Sequence, residues 1–488
     1  MKSKLLFLFL CITAFASAKT TVIKGHINGK VPDNLRYSAP VNGVSGFDIY
    51  YTAKVDVKGN FEILTDTDEI TFIDVFYNYQ WAGNIMAEPG GQYNLTITER
   101  DGKVTHQITG TNAGLQKQYS ELVPKYRINI MHDLGKEASK IESPAEFKAF
   151  FDDKLLADLN ALRAAAPKAT KTDYLLPLIH EREYFYATAM SIAINVKHGN
   201  VLYENAPPVA DAFNTLWKNL YVKAAPDKTW VQKLPFGYWF LLNYEFFKTY
   251  EAVGFNSKKN MPNNNLTTQE KRTERLQYMP AQNAEYYLAV IQHYNVFEGQ
   301  LQEYALDSYL DFKKFYPNST YIKYLEPEMA PLISFFAKSS ALPTGAAYVN
   351  NYAQVNTMDE LLKQFAGKKL YIDVWATWCG PCRDEFKYKD TLYKLLAANN
   401  ITVIYISVDD ENRDEGWKKM IGHYGLQGHH IRTNKVFYDQ LKKMYDGTGG
   451  IAIPWYMLVN TNGTIAALHA APPSDMSKLE EQIKKLKD

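Results

Sequence analysis

The sequence is poor in cysteine, with three in 488 residues, at positions 11, 379 and 382. Small exported proteins that lack a large core depend on many disulfides, and this chain has too few cysteines for such a framework. Its length instead allows several hydrophobic cores, because about 150 residues usually form one domain. Sequence length and cysteine content therefore predict a multidomain protein that is stabilised by apolar packing.

An excess of either charge is also missing. The chain has 54 basic and 53 acidic side chains, interspersed, for a net charge of +1. Proteins that bind nucleic acid or anionic membranes carry a basic surface, so we expect neither partner. The scattered histidines of the central part show no spacing typical of metal ligands, and we expect no metal there.

No apolar run in the sequence is as long as a membrane span, and the run near the N-terminus is short. Two early lysines precede an apolar stretch at 5–14, and Ala-Ser-Ala follows at 16–18. This pattern predicts a signal peptide, residues 1–18, that is cleaved before Lys19. A membrane anchor is the alternative, but a span requires about 20 apolar residues. Lipid attachment at Cys11 is disfavoured because a bulky leucine precedes it.

Hydrophobic periodicity divides the rest of the chain into three parts. Residues 19–111 alternate between apolar and polar positions with frequent turn signals, which predicts an antiparallel β-sandwich. Residues 112–340 have apolar residues at helical spacing, which predicts an all-α domain. In residues 341–488 apolar strands alternate with helical segments, and the last two strands are predicted to form a hairpin.

The chemistry is concentrated at residues 375–382, which read Trp-Ala-Thr-Trp-Cys-Gly-Pro-Cys. An apolar strand precedes this stretch and a helical pattern follows at 383–398. A cysteine at a helix start is stabilised as a thiolate, so Cys379 is predicted to be an accessible attacking sulfur. Cys382, three residues later, can form a disulfide with it and resolve a mixed disulfide.

Two alternatives do not require redox chemistry. A structural disulfide between Cys379 and Cys382 would close a very short loop and stabilise the chain by only about 2 kcal/mol. Half of a zinc site would need two more ligands, such as His429 and His430.

The motif resembles the thioredoxin active site, and its surroundings resemble the TlpA/ResA-like thiol-disulfide oxidoreductases of the bacterial envelope. The resemblance covers about the last quarter of the chain and implies a C-terminal α/β thioredoxin fold. The pair between the cysteines, Gly380 and Pro381, is that of cytosolic thioredoxin, which implies a reducing potential. Stretches within 57–112 loosely resemble an uncharacterised β-domain that often precedes thioredoxin-like domains, and they imply no chemistry.

The resemblance also assigns roles to single residues. Asp373 matches the buried carboxylate that takes the proton of the resolving cysteine, and burial in an apolar strand would raise its pKa as this role requires. Pro454 matches a cis-proline that faces the cysteines and brings the backbone of Ile453 beside an extended substrate. Trp378 and Trp375 are expected to flank the disulfide, one partly exposed for docking and the other packed.

Together these features predict an exported thiol-disulfide oxidoreductase that reduces disulfides in protein substrates of the periplasm or cell envelope. It would need no cofactor besides the redox-active Cys379–Cys382 disulfide, and a membrane-borne donor would supply its electrons. The same cysteines also fit a disulfide oxidase or isomerase. A third hypothesis is a scaffold or binding protein whose β and helical domains do the work while the redox domain is vestigial.

Overall fold

The computed structural model describes residues 19–47, 49–78, 80–123, 127–166, 172–203, 206–259, 266–297, 301–337, 341–445 and 450–487. The predicted signal peptide, residues 1–18, lies outside these ranges. By contacts the chain divides into two compact units, Met1–Val290 and Ile291–Asp488. No helix in the described ranges combines the length and the apolar character that a bilayer span needs.

Two four-stranded sheets form the first part of the first unit. Their strands are β1 (Lys19–Asn28), β2 (Asn34–Ser38), β3 (Tyr50–Lys54), β4 (Asn60–Thr67), β5 (Thr71–Tyr77), β6 (Gln80–Ala87), β7 (Gln92–Arg100) and β8 (Lys103–Gly110). The strand orders are β4-β1-β7-β8 and β3-β2-β5-β6. The predicted strands are thus present, but a purely antiparallel arrangement is wrong, because β1 and β7 pair in parallel. Periodicity reveals which residues face inward and carries no information about strand direction.

Alternating residues of these strands form one apolar cluster. Ile23 and Ile27 of β1 and Ile73 and Val75 of β5 are buried in it. These residues come from both sheets, and their spacing of two or four positions is that of one face of a strand. The buried residues therefore follow the alternation from which strands were predicted in this region.

Helices make up the rest of the first unit. They are α1 (Ala113–Leu122), α2 (Arg127–Ala138), α3 (Pro144–Ala165), α4 (Thr172–Tyr203), α5 (Asp211–Lys223), α6 (Gly237–Ala252), α7 (Thr268–Leu276) and α8 (Ala281–Phe297), and α8 ends in the second unit. Ser143 is the N-cap of α3, and its hydroxyl accepts the backbone N–H of Glu146. The predicted helical character of this region is confirmed.

In its described residues the second unit contains the end of α8, eight further α-helices and a six-stranded sheet. Its elements are α9 (Glu303–Phe315), α10 (Ile322–Ala337), β9 (Ala346–Tyr348), α11 (Met358–Lys363), β10 (Lys369–Trp375), α12 (Gly380–Glu385), α13 (Lys389–Ala398), β11 (Ile401–Ser407), α14 (Asp414–Tyr424), β12 (Gly428–Arg432), α15 (Lys435–Tyr445), β13 (Trp455–Val459), β14 (Ile465–Ala467) and α16 (Met476–Ile483). The strand order is β14-β13-β10-β11-β12-β9. The predicted parallel strands and terminal hairpin are confirmed, whereas β9 and β12 were not predicted.

The central strand β10 is buried on both faces, and its residues alternate between two cores. Leu370, Ile372 and Val374 face one apolar cluster. Tyr371 and Trp375 face the other, which also contains the two cysteines. Apolar clusters cover this central strand of a mixed sheet on both faces, which explains its continuous apolar sequence.

A residue from before the predicted C-terminal domain takes part in this second core. Phe335 of α10 is 3% exposed and belongs to the same cluster as the cysteines. Its ring lies 5.1 Å from that of His423 on α14, and Lys419 of α14 donates a hydrogen bond to the carbonyl of Phe336. The end of α10 therefore packs on the C-terminal sheet and helices.

Candidate active site

The two cysteines lie where β10 ends and α12 begins. Cys379 is the N-cap residue of α12, and its sulfur accepts the backbone N–H of Cys382 at 3.1 Å. Pro381 occupies the first turn of α12. Proline lacks an N–H group, and a first-turn N–H would have no partner within the helix anyway. The predicted order of strand, turn and helix is confirmed. The single helix predicted at 383–398 is instead α12 and α13, with a short 3₁₀ turn between them.

The sulfurs of Cys379 and Cys382 are joined in a disulfide, with their Cα atoms 5.3 Å apart. Cys379 is 4% exposed and Cys382 is 1% exposed. Cys379 is the more exposed of the two, but the prediction of an openly accessible sulfur is wrong for this oxidised form. The pair is part of an apolar cluster with Trp375 and Phe386, and this packing covers most of both residues.

The peptide bond between Ile453 and Pro454 is cis, as the resemblance implied. Pro454 directly precedes β13, which pairs antiparallel with β10, and Trp455 lies opposite Val374 in that pairing. The cis-proline is therefore at the end of the sheet from which the cysteine loop emerges. Both Ile453 and Pro454 are partly exposed.

The two tryptophans of the motif differ in exposure, as predicted. Trp378, directly before the first cysteine, is 43% exposed. Trp375 is fully buried, and its ring meets Phe386 edge-on at 5.3 Å. An exposed tryptophan offers a large apolar surface to a partner chain, while a buried one fixes the loop.

Asp373 is a buried carboxylic acid on the face of the sheet that holds the cysteines. It is 3% exposed, and its Oδ1 has no hydrogen-bond partner. Burial raises the pKa of Asp373 well above its ordinary value, and the negative charge of Glu385 raises it further. A carboxyl group with a raised pKa keeps its proton to higher pH than an exposed aspartate does, and this suits a group that exchanges protons.

Glu385 was not singled out in the sequence. It ends α12, six residues after the first cysteine, and is half buried. Its Oε2 accepts the backbone N–H of Ser474 at 2.9 Å. Its charge raises the pKa values of Asp373, Tyr371 and Tyr456, so it faces the same buried cluster. Glu385 follows Cys382 by three residues, a spacing that places both on one helix face and could have indicated this position.

Asp409 is a second residue whose role the sequence did not reveal. It is 2% exposed and accepts two hydrogen bonds from Thr377, which precedes Cys379 by two residues. Ser407 also donates its hydroxyl to this carboxylate at 2.8 Å. Burial raises the pKa of Asp409, and the hydrogen bonds from Thr377 and Ser407 oppose that rise. This carboxylate holds the cysteine loop against the end of β11.

The histidines considered as zinc ligands have other roles. His430 is fully buried on β12, where its ring stacks on Tyr405 at 5.1 Å and its Nε2 hydrogen bonds to the carbonyl of Leu426. Burial lowers the pKa of His430 to about 4. His429 packs edge-on against Phe365 at 4.7 Å. Within the described ranges, no three His, Cys, Asp or Glu side chains are grouped so that they could hold a metal ion.

The C-terminal part of the chain is similar in sequence to known redox proteins. The family model described as Redoxin matches residues 342–483. The thiol-disulfide oxidoreductase ResA of Bacillus thuringiensis subsp. konkukian (strain 97-27) is 26% identical over 125 residues, which are 26% of this chain and 67% of that protein. The C-terminal part is a TlpA/ResA-like redoxin domain. The chain is accordingly a thiol-disulfide oxidoreductase.

Other relatives match the same region of this redoxin domain. ResA of Geobacillus thermodenitrificans (strain NG80-2) is 21% identical over 133 residues, 27% of this chain and 72% of that protein. Among solved structures, the thioredoxin domain of a thiol-disulfide oxidoreductase from Bacteroides vulgatus is 27% identical and covers 25% of this chain and 82% of that one, with a TM-score of 0.21.

Proposed function

We propose that this protein is an exported reductase of disulfides in envelope proteins, and that the Cys379–Cys382 dithiol is its working group. The observation that carries this proposal is the position of Cys379 at the N-cap of α12, where its sulfur accepts the N–H of Cys382. The same contact in the reduced protein would stabilise a thiolate. The Redoxin match and the ResA relatives support the same chemistry.

The reaction begins when the Cys379 thiolate attacks a disulfide of the substrate protein. A mixed disulfide forms, and one substrate sulfur leaves as a thiolate. Asp373 then takes the proton of Cys382, whose sulfur attacks Cys379 and releases the second substrate sulfur. The substrate disulfide is reduced by two electrons, and the Cys379–Cys382 pair is oxidised. A dithiol donor, which we propose to be membrane-borne, restores the reduced pair.

Docking is proposed to use the surface around the disulfide. The exposed Trp378 offers an apolar contact, and the backbone of Ile453 next to the cis-proline Pro454 can pair with an extended substrate segment. The small exposed fraction of Cys379 implies that only a segment that fits this opening reaches the sulfur.

We further propose the domain division of the sequence analysis: a signal peptide at 1–18, a β-sandwich at 19–111, a helical domain at 112–340 and the thioredoxin-like domain at 341–488. The shared apolar cluster of the two N-terminal sheets supports a sandwich. Export to the periplasm or cell envelope rests on the signal-peptide pattern and on the likeness to ResA.

Two measurements on the full chain test this function. The dithiothreitol-dependent reduction of insulin should depend on both cysteines, and the Cys379→Ala and Cys382→Ala variants should each lack it. The reduction potential of the pair should lie near that of thioredoxin, about −270 mV, whereas a value near about −120 mV would make the protein an oxidase. Undiminished insulin reduction by either variant would contradict the proposal.

A further inference from the structure

Several buried polar atoms near the cysteines have no hydrogen-bond partner, Trp375 Nε1 among them, and three of these atoms are oxygens. They are Asp373 Oδ1 and the hydroxyl groups of Tyr371 and Tyr456. These residues are 3%, 0% and 3% exposed. A buried polar group without a partner is destabilising, and native proteins contain few of them. Three such oxygen atoms in one region indicate that they form hydrogen bonds in a state other than the oxidised one.

The register of the sheet brings these three residues together. Asp373 of β10 lies directly opposite Tyr456 of β13, and residues opposite one another in an antiparallel pair point to the same face. Tyr371 precedes Asp373 by two positions and therefore shares this face. The rings of Tyr371 and Tyr456 stack at 5.7 Å with an interplanar angle of 24°. Two hydroxyl groups and one carboxyl oxygen, none of which has a hydrogen-bond partner, therefore lie on the same face of the sheet.

The tyrosines on the other side of Asp373 are already engaged. Tyr405 of β11 lies opposite Asp373 in the parallel pairing. Its hydroxyl shares a hydrogen bond of 2.9 Å with that of Tyr393 on α13, which also accepts the N–H of Gln427 at 3.0 Å. These two hydroxyls are therefore less suited to serve the carboxylate than those of Tyr371 and Tyr456.

The groups that face Asp373 are uncharged or negative. Four tyrosines face it, Tyr371 from its own strand, Tyr405 from β11, Tyr456 from β13 and Tyr393 from α13. Glu385 of α12 is the charged group that raises its pKa. Stabilisation of a charged Asp373 must therefore come from hydrogen-bond donors rather than from a cation.

We propose that Tyr371 and Tyr456 are positioning residues whose hydroxyls donate hydrogen bonds to the Asp373 carboxylate in the reduced protein. The inference rests on the proposed function, in which Asp373 exchanges a proton with Cys382. When a donor thiolate attacks Cys379, the disulfide opens and Cys382 leaves as a thiolate. That thiolate takes the proton of neutral Asp373, and the two hydroxyls stabilise the carboxylate that remains. In the resolving step the carboxylate takes the proton back, and the hydroxyls are released.

The test uses Tyr371→Phe and Tyr456→Phe in the full chain, with Tyr438→Phe as the matched control. Tyr438 lies on α15 and packs on Lys442, away from the cysteine face. The measurement is the rate of the resolving step in single-turnover reduction of insulin between pH 5 and pH 10. Loss of one hydrogen bond to a carboxylate should move the midpoint of this profile upward by about one pH unit. The plateau at high pH should stay at the wild-type rate, and Tyr438→Phe should leave the whole profile unchanged.

A second measurement excludes a merely structural effect. Because the two hydroxyls have no partner in the oxidised protein, removing them should leave its unfolding midpoint unchanged or higher. In an Asp373→Asn background, adding Tyr456→Phe should not change the pH profile of the resolving step any further. If Asp373→Asn alone leaves the profile unchanged, its proton role in the proposed function fails together with this inference. If Asp373→Asn alters the profile and both Phe variants keep the wild-type midpoint, the tyrosine inference fails and the proposed function stands.

Discussion

Thr377 donates both its backbone N–H and its hydroxyl to the carboxylate of Asp409, at 2.8 Å and 2.7 Å. The two residues are 32 positions apart in sequence and both are buried. This contact attaches the loop that carries Cys379 to the end of β11. The disulfide is thus positioned from both ends, by the start of α12 and by Asp409.

The Asp409→Ala variant should lose stability. It leaves the buried N–H and hydroxyl of Thr377 without an acceptor, which costs about 1 to 3 kcal/mol. Denaturant unfolding of the full chain measures this change. Asp410→Ala is the matched control because Asp410 is exposed. Equal losses in the two variants would show that the contact with Thr377 contributes nothing.

Asp373 should make the oxidised protein less stable as the pH rises. Burial raises its pKa in the folded state, so the folded chain holds this proton more tightly than the unfolded chain does. The resulting stability is fully present below the ordinary pKa of an aspartate and is lost as the pH rises through the raised pKa. The Asp373→Asn variant cannot ionise there and should become more stable than the wild type by about 1 kcal/mol or more at high pH.

Unfolding free energies of the wild type and the Asp373→Asn variant between pH 2 and pH 9 test the sign of this effect. Asp384→Asn provides a control of opposite sign, because Lys387 lowers the pKa of the exposed Asp384. The stability that Asp384 contributes is lost as the pH falls through its lowered pKa. A difference between the Asp373→Asn variant and the wild type that stays constant with pH would contradict the account.

Phe335 should be essential for the stability of the redoxin domain although it precedes residue 341. Its side chain is buried in the cluster of the cysteines, and truncation of such a ring costs about 3 to 5 kcal/mol. The Phe335→Ala variant should lower the unfolding temperature of the second unit, as followed by thermal unfolding of the full chain. Ile333→Ala on the same helix is the control, since Ile333 is 41% exposed. Similar temperatures for both variants would exclude a role of α10 in this core.

Trp378 should contribute to substrate docking rather than to the exchange step. The Trp378→Ala variant should raise the KM for insulin about tenfold, as expected for loss of an exposed aromatic contact worth about 1.4 kcal/mol. Its rate with a small aromatic disulfide, which needs no docking surface, should stay near the wild-type value. Tyr388→Ala is the control because Tyr388 is similarly exposed, at 45%. An unchanged KM would remove Trp378 from the docking surface.

Local patterns predicted much of the fold, and long-range contacts had to be observed. The strand, turn and helix around Cys379 are adjacent in sequence, so the motif reveals them directly. The bond from Thr377 to Asp409 and the register of Asp373 with Tyr456 join distant segments, and periodicity does not encode such pairings. Burial of the disulfide likewise depends on residues from several elements.

Sequence periodicity also failed to predict the strands β9 and β12. Residues 346–348 form β9, whose three residues are too few for a recognisable alternation. His430 in β12 was considered as a zinc ligand because the predicted mature chain has no further cysteine. Its ring instead stacks on Tyr405 and its Nε2 hydrogen bonds to the carbonyl of Leu426, while its Nδ1 has no partner.

Trapping of a mixed disulfide tests the division of roles between the two cysteines most directly. The reduced full-length Cys382→Ala variant, mixed with oxidised insulin, should accumulate a covalent adduct through Cys379, because no second sulfur is present to release it. The Cys379→Ala variant should form none, since Cys382 is only 1% exposed. Mass spectrometry of the non-reduced products identifies the linked residue. An adduct through Cys382, or no adduct in either variant, would contradict the account.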